Sequence, residues 1–374
     1  MLNQKLLEYL NHIQTNKLYR TRQSISCTDW RINFSSNDYL SLTTDKRLKK
    51  SYQEGFKRYP VGSGGSMVVT GYHHIHQAFE RAVAEALQVD TCILFTSGYV
   101  ANLSVMALLA QLKAQVLLDK NVHASIYDGI RQYGVHYTRC LHQNIQDLQR
   151  HLGLVTTDAV VVTESIFSMT GQMAPLVEIA ALIHNHYNSV MIVDEAHAFG
   201  VIGRAGLGGV VQAQLNQALV PLRIIPFGKA YASFGAIVAG SNIWIEALLQ
   251  AARPYIYSTA LSPAVTYGLL ATLDIVMQAD ERRAHLQALV QYFRDAIQQS
   301  AFSWRDSHTP IQQLQLGCPQ LALSIAESLR NKGILCIPMR QPTVSKQETG
   351  LRVVLNYHHT PEQIDTFFQV LANI

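Results

Sequence analysis

Between residues 76 and 240, short apolar runs alternate with segments whose apolar positions recur every three or four residues. The runs fall at 91–95, 115–119, 159–164, 189–194, 222–227 and 236–240, and several are uninterrupted, such as AVVV and VMIV. A strand that is apolar on both faces fits a parallel sheet covered by helices on either side. Helical spacing at 77–88, 144–152 and 175–186 supplies the connections, so the alternation predicts an α/β domain with a mostly parallel sheet. Leu2, Leu6, Leu7, Leu10 and Ile13 recur at helical spacing and predict an amphipathic N-terminal helix. Beyond about residue 285 the rhythm changes. Helical segments over 261–300, 320–331 and 361–372 are interleaved with strand-like pieces at 312–316, 334–338 and 352–356, which predicts a smaller α+β unit. The expected division is 1–45 for an N-terminal helix and small segment, 46–284 for the large α/β domain, and 285–374 for the C-terminal α+β domain.

Composition narrows the function classes. Of 374 residues, 48% are apolar and 15% charged, with a formal net charge of +4. No dense Lys/Arg block marks a nucleic-acid surface. The five cysteines are odd in number, widely spaced and without a CxxC pair, which points to a reducing compartment rather than a disulfide framework. No apolar run approaches the ~20 residues needed to span a bilayer. The first 17 residues lack the apolar centre of a signal peptide. A cytoplasmic protein with no membrane and no nucleic-acid partner is expected.

Three features carry chemistry. Thr96-Ser97-Gly98-Tyr99 follows the run CILF and opens a helical segment. A strand feeding a helix N-terminus offers free N–H groups and the positive dipole end to a phosphate, though many such turns are ordinary caps. Asp194 ends VMIVD, where a carboxylate can meet a pyridine nitrogen, and His197 follows three residues later. Lys229, in IIPFGKA, lies just past another apolar run, where burial would favour its neutral, nucleophilic form. Each alone has a bland reading; their order together fits a site for pyridoxal phosphate (PLP), with Lys229 as the Schiff-base lysine. His123 lies past LLD, where an α/β site opens, and could stack on a flat ring. His73, His74 and His76 have no carboxylate at metal-ligand spacing, so no metal is expected. DEAH lacks a companion phosphate loop, and no GxSxG elbow is present.

FSSNDYLSL (34–42), VGSGGSMVVTGYHHIHQAFE (61–80), FTSGYVAN (95–102), NVHAS (121–125), TESIFSMTGQMAPL (163–176), VDEAHAFGVIG (193–203), FGKA (227–230) and IYSTALSP (256–263) occur in this order. Together they resemble the α-oxoamine synthases, PLP enzymes of fold type I that condense an amino acid with an acyl thioester. MRQPTV (339–344) and GLRVVLN (350–356) are similar to the branch serving biotin biosynthesis. The resemblance implies Lys229 as the aldimine lysine, His123 stacked on the ring, Gly98 and Tyr99 on the phosphate, Ser168 and His197 near the phenolic oxygen, and Asp194 on the pyridine nitrogen. It implies a homodimer with shared active sites, Ser258 and Thr259 reaching the phosphate of the neighbouring subunit. Arg20, Thr343 and Arg352 would bind substrate. The implied reaction is decarboxylative condensation of L-alanine with pimeloyl-CoA or pimeloyl-acyl carrier protein. A glycine- and acetyl-using relative, or an aminotransferase of the same fold, are the competing readings. Two departures stand out: Pro226 replaces a usual threonine three residues before the lysine, and Ala230-Tyr231-Ala232-Ser233 replaces a glycine-rich stretch.

Overall fold

Seven strands form the central sheet: β1 (Thr91–Phe95), β2 (Gln115–Asp119), β3 (Tyr137–Cys140), β4 (Ala159–Glu164), β5 (Ser189–Asp194), β6 (Leu222–Pro226) and β7 (Ala236–Gly240). The computed structural model describes residues 1–16, 18–20, 22, 24, 32–186, 188–341 and 344–373. The sheet order is β1-β7-β6-β5-β4-β2-β3. All neighbours are parallel except β7, which runs antiparallel to both β1 and β6. The fold is therefore the expected α/β class with a mostly parallel sheet. Every residue of β4 and β7 is buried, as their unbroken apolar runs require. The edge strand β3, YTRC, went unforeseen because three of its four residues face at least partly outward and it carries no apolar run.

Five helices matter for the site and its surroundings: α1 (Leu2–Thr15), α2 (Lys46–Arg58), α3 (His74–Leu87), α4 (Gly98–Leu112) and α5 (Ala124–Tyr133). Helix α4 is buried on most of its circumference, Asn102 and Ser104 included. The pattern at Leu2, Leu6, Leu7 and Leu10 does form a helix, but none of α1 is buried within the described chain. Helix α6 (Pro263–Met277) packs so closely on α2 that a Cβ at Gly55 would lie 2.3 Å from the Ala264 carbonyl oxygen. Only glycine permits that approach.

The last third begins with α7 (Asp280–Ile297), which passes residue 285 without a break. Strands β8 (Ser303–Trp304), β9 (Ile311–Gln315), β10 (Ile337–Met339) and β11 (Gly350–Val354) form an antiparallel sheet in the order β10-β11-β9-β8. Its helices are α8 (Pro319–Asn331) and α9 (Pro361–Ala372). The strand expected over 334–338 is two short pieces. Ile334–Leu335 pairs in parallel with Ile32–Asn33, tying the N-terminal part of the chain to this region, while Ile337 begins β10.

Candidate active site

The parallel strands β4, β5 and β6 end side by side, and their carboxyl ends carry the charged groups of the site. Register pairs Glu164 with Asp194 across β4 and β5, and Asp194 with Ile224 on β6. Asp194 is buried; Oδ1 accepts the Ala196 N–H at 2.9 Å and Oδ2 accepts Asn102 Nδ2 at 2.9 Å. Lys229 sits in the turn after β6, closed by the Ala232 N–H on the Lys229 carbonyl (2.8 Å) and the Ser233 N–H on that of Phe227 (2.9 Å). Burial holds its ammonium below the usual lysine range, against the pull of Asp194 and Glu164. Burial, then the neighbouring Asp194 charge, pushes the Glu164 carboxyl well above the usual carboxylate range. Tyr231 braces the lysine turn, its hydroxyl donating to the Leu269 carbonyl at 2.7 Å and its ring 4.7 Å from that of Phe227. Ser233 and Tyr52 of α2 share a hydroxyl hydrogen bond.

His123 caps the N-terminus of α5, with Nδ1 2.8 Å from Ser125 Oγ and 3.2 Å from the Ser125 backbone N. Asn102 Nδ2 reaches Ser125 Oγ at 3.0 Å as well as Asp194. On another side, buried His197 bonds through Nδ1 to the Tyr39 hydroxyl at 2.6 Å. Burial, then the nearby cations Lys229 and Arg352, hold its imidazole well below the usual range, so it stays neutral. Burial also pushes the Tyr39 phenol up to about 12. Arg352, on β11, donates from Nε to the Ser168 carbonyl (2.6 Å) and from Nη2 to Asn37 Oδ1 (3.0 Å). The Ser168 backbone, rather than its hydroxyl, thus makes that contact.

At the far end of the site, Ser97 Oγ caps α4 by accepting the Val100 N–H at 3.2 Å. Neither the Gly98 nor the Tyr99 N–H has an acceptor among the described residues. A Cβ at Gly98 would stand 2.5 Å from Pro226 Cγ, so the proline ring forms the wall of this turn and admits only glycine opposite. Tyr99 lies on the surface and donates its hydroxyl to Asp128 of α5. Ser258 and Thr259 are exposed, and within one chain they border a small space shared with Thr96 and Val100.

A cavity of about 420 Å³ opens beside Arg352 and Asn37. Both Arg20 and Arg352 line it, with Arg340, Asn37 and Met169, while among the described residues no acidic side chain does. The structure therefore brings together Lys229, Asp194, His123, His197, Gly98, Ser168, Arg352 and Arg20. Thr343 lies outside the described residues. Asn37, Tyr39, Asn102, Ser125 and Glu164 were not singled out from sequence, although all five fall inside motifs that carried the family resemblance. Among the described residues no group of His, Cys, Asp or Glu could hold a metal ion, and no helix is long and apolar enough to cross a membrane.

These residues fit PLP on three structural grounds: two N–H groups at a helix start without acceptors among the described residues, a lysine whose ammonium form burial disfavours, and a strand-end carboxylate fixed by Asn102 and the Ala196 N–H. The comparisons agree. A family model described as aminotransferase class I and II matches residues 31–371. An 8-amino-7-oxononanoate synthase of Marinobacter nauticus is 36% identical over 364 residues, spanning 95% of this chain and 92% of that protein. The solved 8-amino-7-oxononanoate synthase from Francisella tularensis superposes with a TM-score of 0.81 at 29% identity, over 91% of this chain and 97% of that one. A serine palmitoyltransferase from S. paucimobilis, solved with a bound PLP–myriocin aldimine, gives a TM-score of 0.89 at 25% identity over 99% and 96% of the two chains.

Proposed function

The chain belongs to the class I and II aminotransferase family, in its α-oxoamine synthase branch, and from that premise we propose that it condenses L-alanine with a pimeloyl thioester. The thioester is carried on CoA or acyl carrier protein. Carbon dioxide and free thiol leave, and the product is 8-amino-7-oxononanoate, for biotin biosynthesis. The observation that carries this reading is the cavity lined by both Arg20 and Arg352. Alanine brings one carboxylate and the pimeloyl chain a second, and a guanidinium is suited to hold either. An acetyl donor would leave one of the two without a partner.

The cofactor is pyridoxal phosphate, which supplies a carbonyl for the amino group and a protonated ring that accepts the electron pair released at the α-carbon. In this reading the Gly98 and Tyr99 N–H groups hold its phosphate, with Pro226 shaping the turn. Asp194, fixed by Asn102 and the Ala196 N–H, keeps a proton on the ring nitrogen. His123 would cover one face of the ring, and His197 and Ser168 would hold its phenolic oxygen. Lys229 would hold the cofactor through its amine, and that amine, its ammonium form disfavoured by burial, is the group that would take the α-proton of alanine and return one. Arg352, held by Ser168 and Asn37, receives the alanine carboxylate, and Arg20 the distal carboxylate of the acyl chain. Thr343, outside the described residues, would contact substrate, as the family resemblance implies. Ser258 and Thr259 reach the phosphate of the neighbouring subunit of a homodimer, which their exposure supports.

A product screen tests this. The PLP-loaded protein is given alanine or glycine with pimeloyl-CoA, pimeloyl-acyl carrier protein or acetyl-CoA, and products are read by mass spectrometry. Alanine with a pimeloyl donor should dominate. Preference for glycine with acetyl-CoA would move the protein to the acetyl-using branch. Amino transfer to an oxo acid without any acyl donor would make it an aminotransferase.

A further inference from the structure

The hydrogen bonds around His123 can run in only one direction. Asp194 Oδ2 and Ser125 Oγ lie 2.9 and 3.0 Å from the same atom, Asn102 Nδ2. An amide nitrogen only donates, so both oxygens are acceptors here. With one lone pair taken by Asn102, the Ser125 hydroxyl still has a proton and a second lone pair for His123 Nδ1, 2.8 Å away, so this contact alone fits either direction. The Ser125 backbone N–H is directed at the same ring nitrogen, at 3.2 Å. A nitrogen that accepts this backbone N–H carries no proton of its own, so the Ser125 hydroxyl must donate to it as well.

We infer that Ser125, backed by Asn102, is a positioning residue that fixes His123 as the neutral tautomer protonated on Nε2, making it a hydrogen-bond donor to the acyl oxygen rather than a base. Nε2 has no partner among the described residues and is free for this. The donor role rests on the condensation proposed above; the tautomer does not. When the new carbon–carbon bond forms at the thioester carbonyl, its π pair moves onto oxygen, where the Nε2–H stabilises it. The pair returns as the carbon–sulfur bond breaks and the thiolate leaves. No proton has to pass through His123, because Lys229 handles the α-proton.

The charged groups around the ring agree with this direction. Burial lowers the His123 pKa and Lys229 lowers it further, while Asp194 and Asp128 oppose them. Protonating Nδ1 would set its N–H against the Ser125 backbone N–H, which already points at that nitrogen.

The test is made on the apoprotein carrying ¹⁵N-labelled histidine, with His123→Gln to assign the signal. Two-bond N–H correlations should show a proton on Nε2 and an unprotonated Nδ1. A proton on Nδ1 in this protein overturns the inference whatever the variants do. Ser125→Ala removes one donor, and should move the tautomer ratio toward Nδ1–H by roughly fivefold, the effect of one ordinary hydrogen bond, and raise the His123 pKa. Ser125→Thr should restore both. An unchanged ratio and titration in Ser125→Ala would show that the hydroxyl does not set the tautomer. In the loaded enzyme, Ser125→Ala should shift the acidic limb of the pH–rate profile upward and lower kcat, with KM for alanine unchanged. A fixed tautomer with an unmoved acidic limb would remove the donor role alone, and absence of any condensation would remove only the proposed reaction.

Discussion

Pro226 has two effects at the start of α4. Its ring stands against Gly98 and shapes the turn, yet it offers neither hydroxyl nor N–H to a phosphate. Pro226→Thr should tighten PLP binding about tenfold, the worth of one charge-assisted hydrogen bond discounted for the lost ring contact; equal dissociation constants would show that Ser258 or Thr259 already fills the gap. Three residues past the lysine, Ala232 adopts a left-handed backbone with φ of 51°. Such a conformation disfavours any residue with a Cβ. Ala232→Gly should therefore raise stability by about 1 kcal/mol in chemical unfolding, and a loss would show that the side chain packs usefully. The replacement of a glycine-rich stretch, a concern from sequence, finds a physical reason in Tyr231 and Ser233, which tie the turn to Leu269 and Tyr52. Asp194 and Lys229 could be read from sequence because each directly follows an apolar strand. Asn102 and Ser125 could not, since a buried polar residue in a helix gives no periodic signal and its partners are 92 and 23 residues away.

Five of the six strands read from the apolar pattern match the structure residue for residue, because strands buried on both faces leave continuous runs. The sixth ends one residue early, at Pro226, and the polar edge strand β3 was invisible. In the small sheet, the chain at 334–338 looks like one strand and is divided between two pairings, a distinction that only tertiary contacts make. Strand β11 gives Arg352 its position: the backbone pairs with Gln313 and Ile337 on its two sides while the guanidinium reaches across to Ser168 and Asn37. Arg352→Ala should raise KM for alanine by about ten- to a hundredfold, and Arg20→Ala should do the same for the pimeloyl donor, each leaving the other substrate largely unaffected. Both variants weakening the same substrate would contradict the division of carboxylates between them.

For the molecule as a whole, buried His359 links acid stability to the junction of the N- and C-terminal parts. Its ring stacks on Phe34 at 4.3 Å and its Nδ1 accepts the Asn356 N–H at 3.0 Å, while burial pushes its pKa from 6.5 down to about 4. The folded form thus resists a proton that the unfolded chain accepts. Its contribution is complete above pH 6.5 and is lost as pH falls toward 4, by up to about 3 kcal/mol. Buried Glu80, raised to about 7, works in the opposite sense, its contribution lost as pH rises from 4.5 through 7. The difference in unfolding free energy between the wild type and His359→Gln across this range isolates the histidine; a constant difference would remove it as the cause. Subunit sharing has its own test. Mixed dimers of Lys229→Ala with a Ser258→Ala, Thr259→Ala double variant should regain activity at one site, and no recovery would place those hydroxyls beside Thr96 of their own chain.

The site converges on one amine, set beside Asp194 and next to a pair of unpartnered N–H groups. Borohydride reduction of the PLP-loaded protein, followed by peptide mapping, tests that convergence most directly. The pyridoxyl group should be found on Lys229 and be absent from Lys229→Ala. Its recovery on another lysine, or on none, would contradict the account.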